Sequence, residues 1–144
     1  MASKPKEDRP PPKCKAILLC QQITVDAGTA RASVLDILQS LDFATLPGQT
    51  KPMELYLQLV DGMGRYDITV EIHDLAEERT IGRGKGLNIF MPDPLRTLQL
   101  AIPIPSLPIT HAGYYDVIVF ANRQEIDRQQ FVAIVHNIGE GNET

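Results

Sequence analysis

Apolar and polar residues alternate with a period of two along much of this chain, the pattern of β-strands with one face buried. The chain is organised around the stretch 112–135, AGYYDVIVFANRQEIDRQQFVAIV. It predicts two adjacent strands joined by a tight turn at Asn122-Arg123, where Asn tolerates the positive φ of a short hairpin. In the first strand Tyr115, Val117, Val119 and Ala121 fall on one face, and Tyr114, Asp116, Ile118 and Phe120 on the other. Tyr115, two residues after Gly113 at the start of a late strand, suggests a tyrosine corner, its ring at the core edge and its hydroxyl on a nearby backbone group. Residues 53–60 and 65–73 are the clearest strands: Leu55, Leu57 and Leu59 form one face of the first, Tyr66, Ile68, Val70 and Ile72 one face of the second. Asp61-Gly62-Met63-Gly64 between them reads as a glycine-bearing hairpin turn, with Gly62 and Gly64 as structural residues.

Weaker strands are predicted at 15–25, 31–38, 80–90 and 97–104. For 31–38 a helix is the competing reading. The 80–90 stretch carries Gly82, Gly84 and Gly86, which mark a bulge or an irregular edge. Pro47-Gly48 and Pro52 make 43–52 a loop. About eight short strands punctuated by turns, with no convincing amphipathic helix, predict an all-β chain: an antiparallel β-sandwich of immunoglobulin-like or related topology.

At 144 residues the chain is one domain, large enough for a core without disulfide staples. Residues 1–13 are rich in Pro and Lys and predict a disordered tail, 14–136 the domain, and 137–144 a flexible polar tail. The net charge of −4 argues against nucleic-acid binding. The apolar run 16–20 is too short for a membrane span or a secretory signal. Cys14 and Cys20, about 20 Å apart along an extended strand, are too distant to pair. A cytoplasmic location is expected.

Several motifs together resemble a family. These are Ile17-Leu18-Leu19-Cys20-Gln21-Gln22-Ile23-Thr24-Val25-Asp26, Asp61-Gly62-x-Gly64-x-Tyr66 within 55–66, Pro92-Asp93-Pro94-Leu95, and Gly113-x-Tyr115 with the later Phe131. Over about 14–136 they are similar to an uncharacterised bacterial family of short proteins of unknown function. The resemblance implies a small cytosolic β-sandwich and supplies no catalytic residues.

Candidate chemistry is sparse. Asp67, Glu71 and His73 share a strand face, but neighbours on one strand diverge, so a solvated face is the plainer reading. Arg79, Arg83, Lys85 and Arg96 are the one basic concentration and the candidates for binding a small anion or glycan. The glycines around them miss the P-loop spacing. No Gly-x-Ser-x-Gly elbow occurs, so no catalytic residue, metal ligand or cofactor is assigned. An enzyme would need a site assembled from distant positions. The strongest functional hint is that both parities of 117–120 and 131–135 are apolar, whereas an exposed sheet face normally alternates with polar residues. This predicts an interface of Tyr56, Val60, Ile118, Phe120, Val132 and Ile134, used to bind a second copy of the chain or another protein. It also requires a parity change before Phe131, placed at 128–130 as a bulge.

Overall fold

The structure, a computed structural model, describes residues 10–136. Of the expected tails, residues 1–9 of 1–13 and all of 137–144 lie outside the described residues. Twelve strands form among the described residues: β1 Lys13–Val25, β2 Ala32–Ile37, β3 Ser40–Phe43, β4 Gly48–Gln49, β5 Met53–Val60, β6 Gly64–Asp74, β7 Arg79–Arg83, β8 Leu87–Met91, β9 Leu98–Ile104, β10 Pro108–Ile109, β11 Gly113–Ala121 and β12 Gln124–Val135. Among the described residues the fold is all-β, and no helix is long and apolar enough to cross a membrane.

One sheet has the order β2-β1-β5-β9. The other runs β3-β12-β11-β6-β7, with β8 also on β6. A short β4–β10 ladder stands apart. Pairing is antiparallel except for β3, which runs parallel to β12. A shared core joins the sheets: Leu19, Leu55, Leu57, Leu59, Ile102 and Ile104 from the first meet Ile68, Val70, Ile72, Val117, Val119 and Phe131 from the second. Within 31–38, Ala32–Ile37 form a strand, not a helix. Paired with β1, the alternation of Val34 and Leu35 resolves into ladder positions opposite Ile23 and Gln22.

Four sequence expectations change. First, the Asp61–Gly64 turn is no hairpin: β5 and β6 belong to different sheets, and the chain crosses between them. Gly64 has φ +101°. Gly62 is needed for space, since a Cβ there would lie 2.4 Å from Met91 Sδ and 3.1 Å from Pro12 Cβ. Second, the proline segment is partly built in. Pro12 is buried, Lys13 opens β1, and the Pro10 carbonyl accepts the Tyr66 hydroxyl at 3.0 Å. Third, the 43–52 loop contains β3's last residue and β4, and is tied to residue 107 by Thr50 N–H to Leu107 O (3.0 Å) and Leu107 N–H to Thr50 Oγ1 (2.8 Å). Fourth, the bulge lies at Ile126. Val119 pairs with Asp127 and Phe120 with Glu125, leaving Ile126 as the extra residue. The Asn122-Arg123 turn, with φ of 49° and 70°, locks Ala121 opposite Gln124. The parity change must then fall between the turn and Phe131, and it settles where Ile126 can pack on the core.

The β1–β2 hairpin curls over the outer face of its own sheet. Ile23 N–H donates to Glu54 Oε1 (3.1 Å), and the Ala30 carbonyl accepts Gln99 Nε2 of β9 (3.5 Å). Ile23, Val25 and Ala32 thereby meet Tyr56, Gln99 and Ala101.

Candidate functional site

The predicted apolar interface does not form as one face. Tyr56 and Val60 stand on β5, in the opposite sheet from the other four residues, because β6 rather than β5 is the neighbour of β11. Tyr56 is also covered, by the curled hairpin and by hydrogen bonds with Gln99 and Gln58. Ile118 does face outward, yet it is only 2% exposed. Its cross-strand partners are Arg128 and Glu71. Arg128 lies over this face as a clasp: Nη1 reaches Asp116 Oδ2 (2.9 Å), while Nε and Nη2 hold both oxygens of Glu125 (2.9 and 2.6 Å). These partners push the guanidinium pKa up, and the Arg128 bond holds the Glu125 carboxyl below its ordinary range. Phe120 and Val132 are half-buried, and Ile134 is exposed.

The basic candidates separate too. Arg79 is taken by Glu77 (3.0 Å) and Asp74 (4.0 Å). Arg96 lies in the turn before β9, its N–H on Asp93 O (3.1 Å). Arg83 and Lys85 alone come together, on either side of Gly84. Of the acidic strand face, Glu71 contacts His73 (2.8 Å) and Asp67 accepts Asn88 Nδ2 (2.6 Å).

The most organised polar cluster lies where β6 ends and β11 begins. Tyr115 is fully buried, and its hydroxyl donates to the His111 carbonyl at 2.7 Å, forming the tyrosine corner. Its ring stacks between His111 (5.6 Å between centroids) and Phe131 (5.4 Å). Gly113, φ +137°, turns the chain between the ring and the carbonyl it reaches. Opposite Tyr115 stands Asp74, 1% exposed. Its Oδ1 accepts the N–H groups of Ala76 (3.1 Å) and Glu77 (3.3 Å), and its Oδ2 meets His111 Nε2 at 2.7 Å. His111 Nδ1 sits 2.8 Å from the Ala112 carbonyl. Both ring nitrogens therefore face acceptors, and only the imidazolium satisfies both. The Ala112 carbonyl and Asp74 raise the His111 pKa. Burial pushes the Asp74 carboxyl up, but the His111 and backbone N–H bonds outweigh it and hold the pKa below its ordinary value.

Asp74, Glu77 and His111 place ligand-type atoms within 4.8 Å of one another. Every one already has a partner, Glu77 in Arg79 and Asp74 in His111 and two backbone donors, so the cluster acts as a closed brace on the corner. Reasoning from the strand pattern missed it, although a signal existed: Asp74 is the next inward position after Tyr66, Ile68, Val70 and Ile72, a carboxylate in core register. Tyr115→Phe is expected to cost about 1–2 kcal/mol by removing the hydroxyl that pairs the half-buried His111 carbonyl, and Tyr114→Phe, on an exposed ring, under about 0.5 kcal/mol. Urea denaturation of the two variants checks this, and equal losses would overturn the corner assignment.

The thiols are not activated. Burial and the Asp127 carboxylate push Cys14 up to about 12, and burial raises Cys20, whose Sγ donates to Glu54 O (3.4 Å). At neutral pH both are protonated and weakly nucleophilic.

No curated protein sequence matches the chain. Among solved structures, it is similar to the Pseudomonas fluorescens alkylpurine DNA glycosylase AlkC bound to DNA containing an abasic site analog. That likeness has a TM-score of 0.40 and 10% identity, over 82% of this chain and 30% of that one. The profile of a family of unknown function, DUF6941, matches residues 15–134, and the chain belongs to that family.

Proposed function

We propose that this protein is a non-catalytic cytoplasmic interaction module that associates with a second copy of itself through β2. We further infer that its two large sheets pack as an immunoglobulin-like sandwich. Supporting this architecture are β1-β5-β9 on one side, β3-β12-β11-β6-β7 on the other, their shared core and the tyrosine corner at β11. Two free, protonated cysteines fit a reducing compartment.

The observation that carries the functional reading is the state of the sheet edges. An unguarded edge strand is a template for another strand, and proteins blunt such edges with proline, charge or shortness. β9 carries Pro103, β3 and β8 are only four and five residues long, and β7 has Arg79 and Arg83 at its ends. β2 has no proline and one charge, and it exposes Leu35 (45%) and Ile37 (52%). Antiparallel pairing of β2 with its own copy closes a two-fold dimer. A register centred on Val34 sets Leu35 opposite Ser33 and leaves Asp36, whose φ of +56° takes it out of the extended region, outside the new ladder, so no like charges face each other. Burying these half-exposed side chains on both copies supplies about 3–6 kcal/mol gross, near the low end of the cost of association, so the dimer is a weak one.

Light scattering tests the reading. The wild type is expected to rise above its monomer mass of 16.0 kDa as concentration reaches about 200 μM, and Leu35→Lys/Ile37→Lys to stay monomeric with an unchanged melting temperature. A wild type that remains monomeric throughout, or a double variant that still associates, rejects it.

A further inference from the structure

At the other flank of the four-stranded sheet, an open cleft of about 400 Å³ is lined by Pro52, Pro103 and Pro105 on one side and Arg83-Gly84-Lys85 on the other. Met53 and Ile104, almost fully buried, form its floor. Gly84 lets the loop lie close against the β9 flank. Its N–H donates to Val70 O at 3.0 Å, and a Cβ there would come within 3.1 Å of Ile104 Cδ1 and 3.2 Å of Ile102 Cγ2. A side chain at this position would crowd the β9 flank, where its neighbours would have to give by a few tenths of an ångström.

The walls differ in chemistry. The prolines are rigid, apolar and lack N–H groups, so this side is preformed and cannot pair with another strand. The opposite side carries two positive charges in a chain whose net charge is −4. Arg83 is 70% exposed and lies 3.8 Å from Glu71, too loose to neutralise it fully. Lys85 has no ion-pair partner among the described residues. The volume falls in the range of small-molecule sites, which combine an apolar lining with a few placed polar groups.

We infer that this cleft binds a small organic anion: a carboxylate or phosphate held between Lys85 and Arg83, on an apolar body seated against the prolines and Ile104. The inference is independent of association through β2, which uses the opposite edge of the same sheet.

Amide chemical-shift titrations of the full chain provide the test, using 2-naphthoate, 2-naphthyl phosphate, the neutral 2-naphthalenemethanol and inorganic phosphate as probes. The naphthyl anions are expected to shift the amides of Gly84, Lys85 and Ile104 saturably. The neutral alcohol and inorganic phosphate should each bind at least about tenfold more weakly, a difference of about 1.4 kcal/mol. Lys85→Glu, at an exposed position, should weaken both naphthyl anions about tenfold without moving the melting temperature. Tighter binding of the carboxylate, or of the phosphate ester, identifies the head group, and either result supports the site. The proposal is overturned if no shifts localise to the cleft, if the alcohol or inorganic phosphate binds as well as the naphthyl anions, or if Lys85→Glu leaves affinity unchanged.

Discussion

Ile118→Asp is expected to cost about 3–5 kcal/mol of folding stability, and Ile134→Asp under about 1 kcal/mol, although both residues lie in neighbouring strands with outward parity. Ile118 is enclosed by the Arg128 clasp on one side and Glu71 on the other. An aspartate there exchanges a packed side chain for a desolvated carboxylate between Asp116 and Glu71. Ile134 is 42% exposed, and its new charge would stay in water. Urea denaturation of the two variants gives both numbers. If the losses are equal, the clasp is open and this face is available as a docking surface. Arg128→Ala should then be as mild as Ile134→Asp.

The second large effect concerns Asp74. Asp74→Ala is expected to destabilise the fold by about 3–5 kcal/mol, since it strands the His111 imidazolium and two backbone N–H groups at a buried position. His111→Gln should cost less and should reshape the dependence of stability on pH. The His111 pKa is raised on folding, so its contribution is complete below its ordinary value of 6.5 and is lost as pH rises through the raised folded value. The Asp74 pKa is lowered, so its contribution is complete above 3.8 and is lost as pH falls through the lowered folded value. Between 3.8 and 6.5 both are whole. The stability difference between wild type and His111→Gln is therefore expected to be largest in that window and to shrink above it. A difference that stays flat as pH rises would show that His111 is neutral in the folded state.

Local alternation was enough to orient most strands. Tyr115 inward and Tyr114 outward, the Tyr66–Ile72 face, and the Asn122-Arg123 turn all follow from a period of two and from which residues accept positive φ. Membership of an all-β class follows from the same pattern. Partner choice does not. The residues of Asp61–Gly64 suit a hairpin turn and a crossing between sheets alike, because both need the same reversal over a few residues. The decision rests on whether Leu55, Leu57 and Leu59 bury more surface beside β6 or facing it, and the core shows them facing it. Once β5 left for the other sheet, Tyr56 and Val60 could no longer extend the β11 face.

The apolar outward residues were visible, but their covers were not. Ile118 is shielded by Arg128 only because the bulge at Ile126 sets Arg128 opposite it, and Tyr56 only because the β1–β2 hairpin bends back over β5. Gly84 between two cations was equally visible as a glycine-rich segment, and Asp74 as a carboxylate in core register. Each acquires a role from atoms distant in sequence: Ile104 packed against the one, His111 bonded to the other. Periodicity therefore determined which way side chains point, since that is a property of one strand. Only the tertiary structure decided what they meet, since burial and hydrogen bonding depend on strands separated by tens of residues.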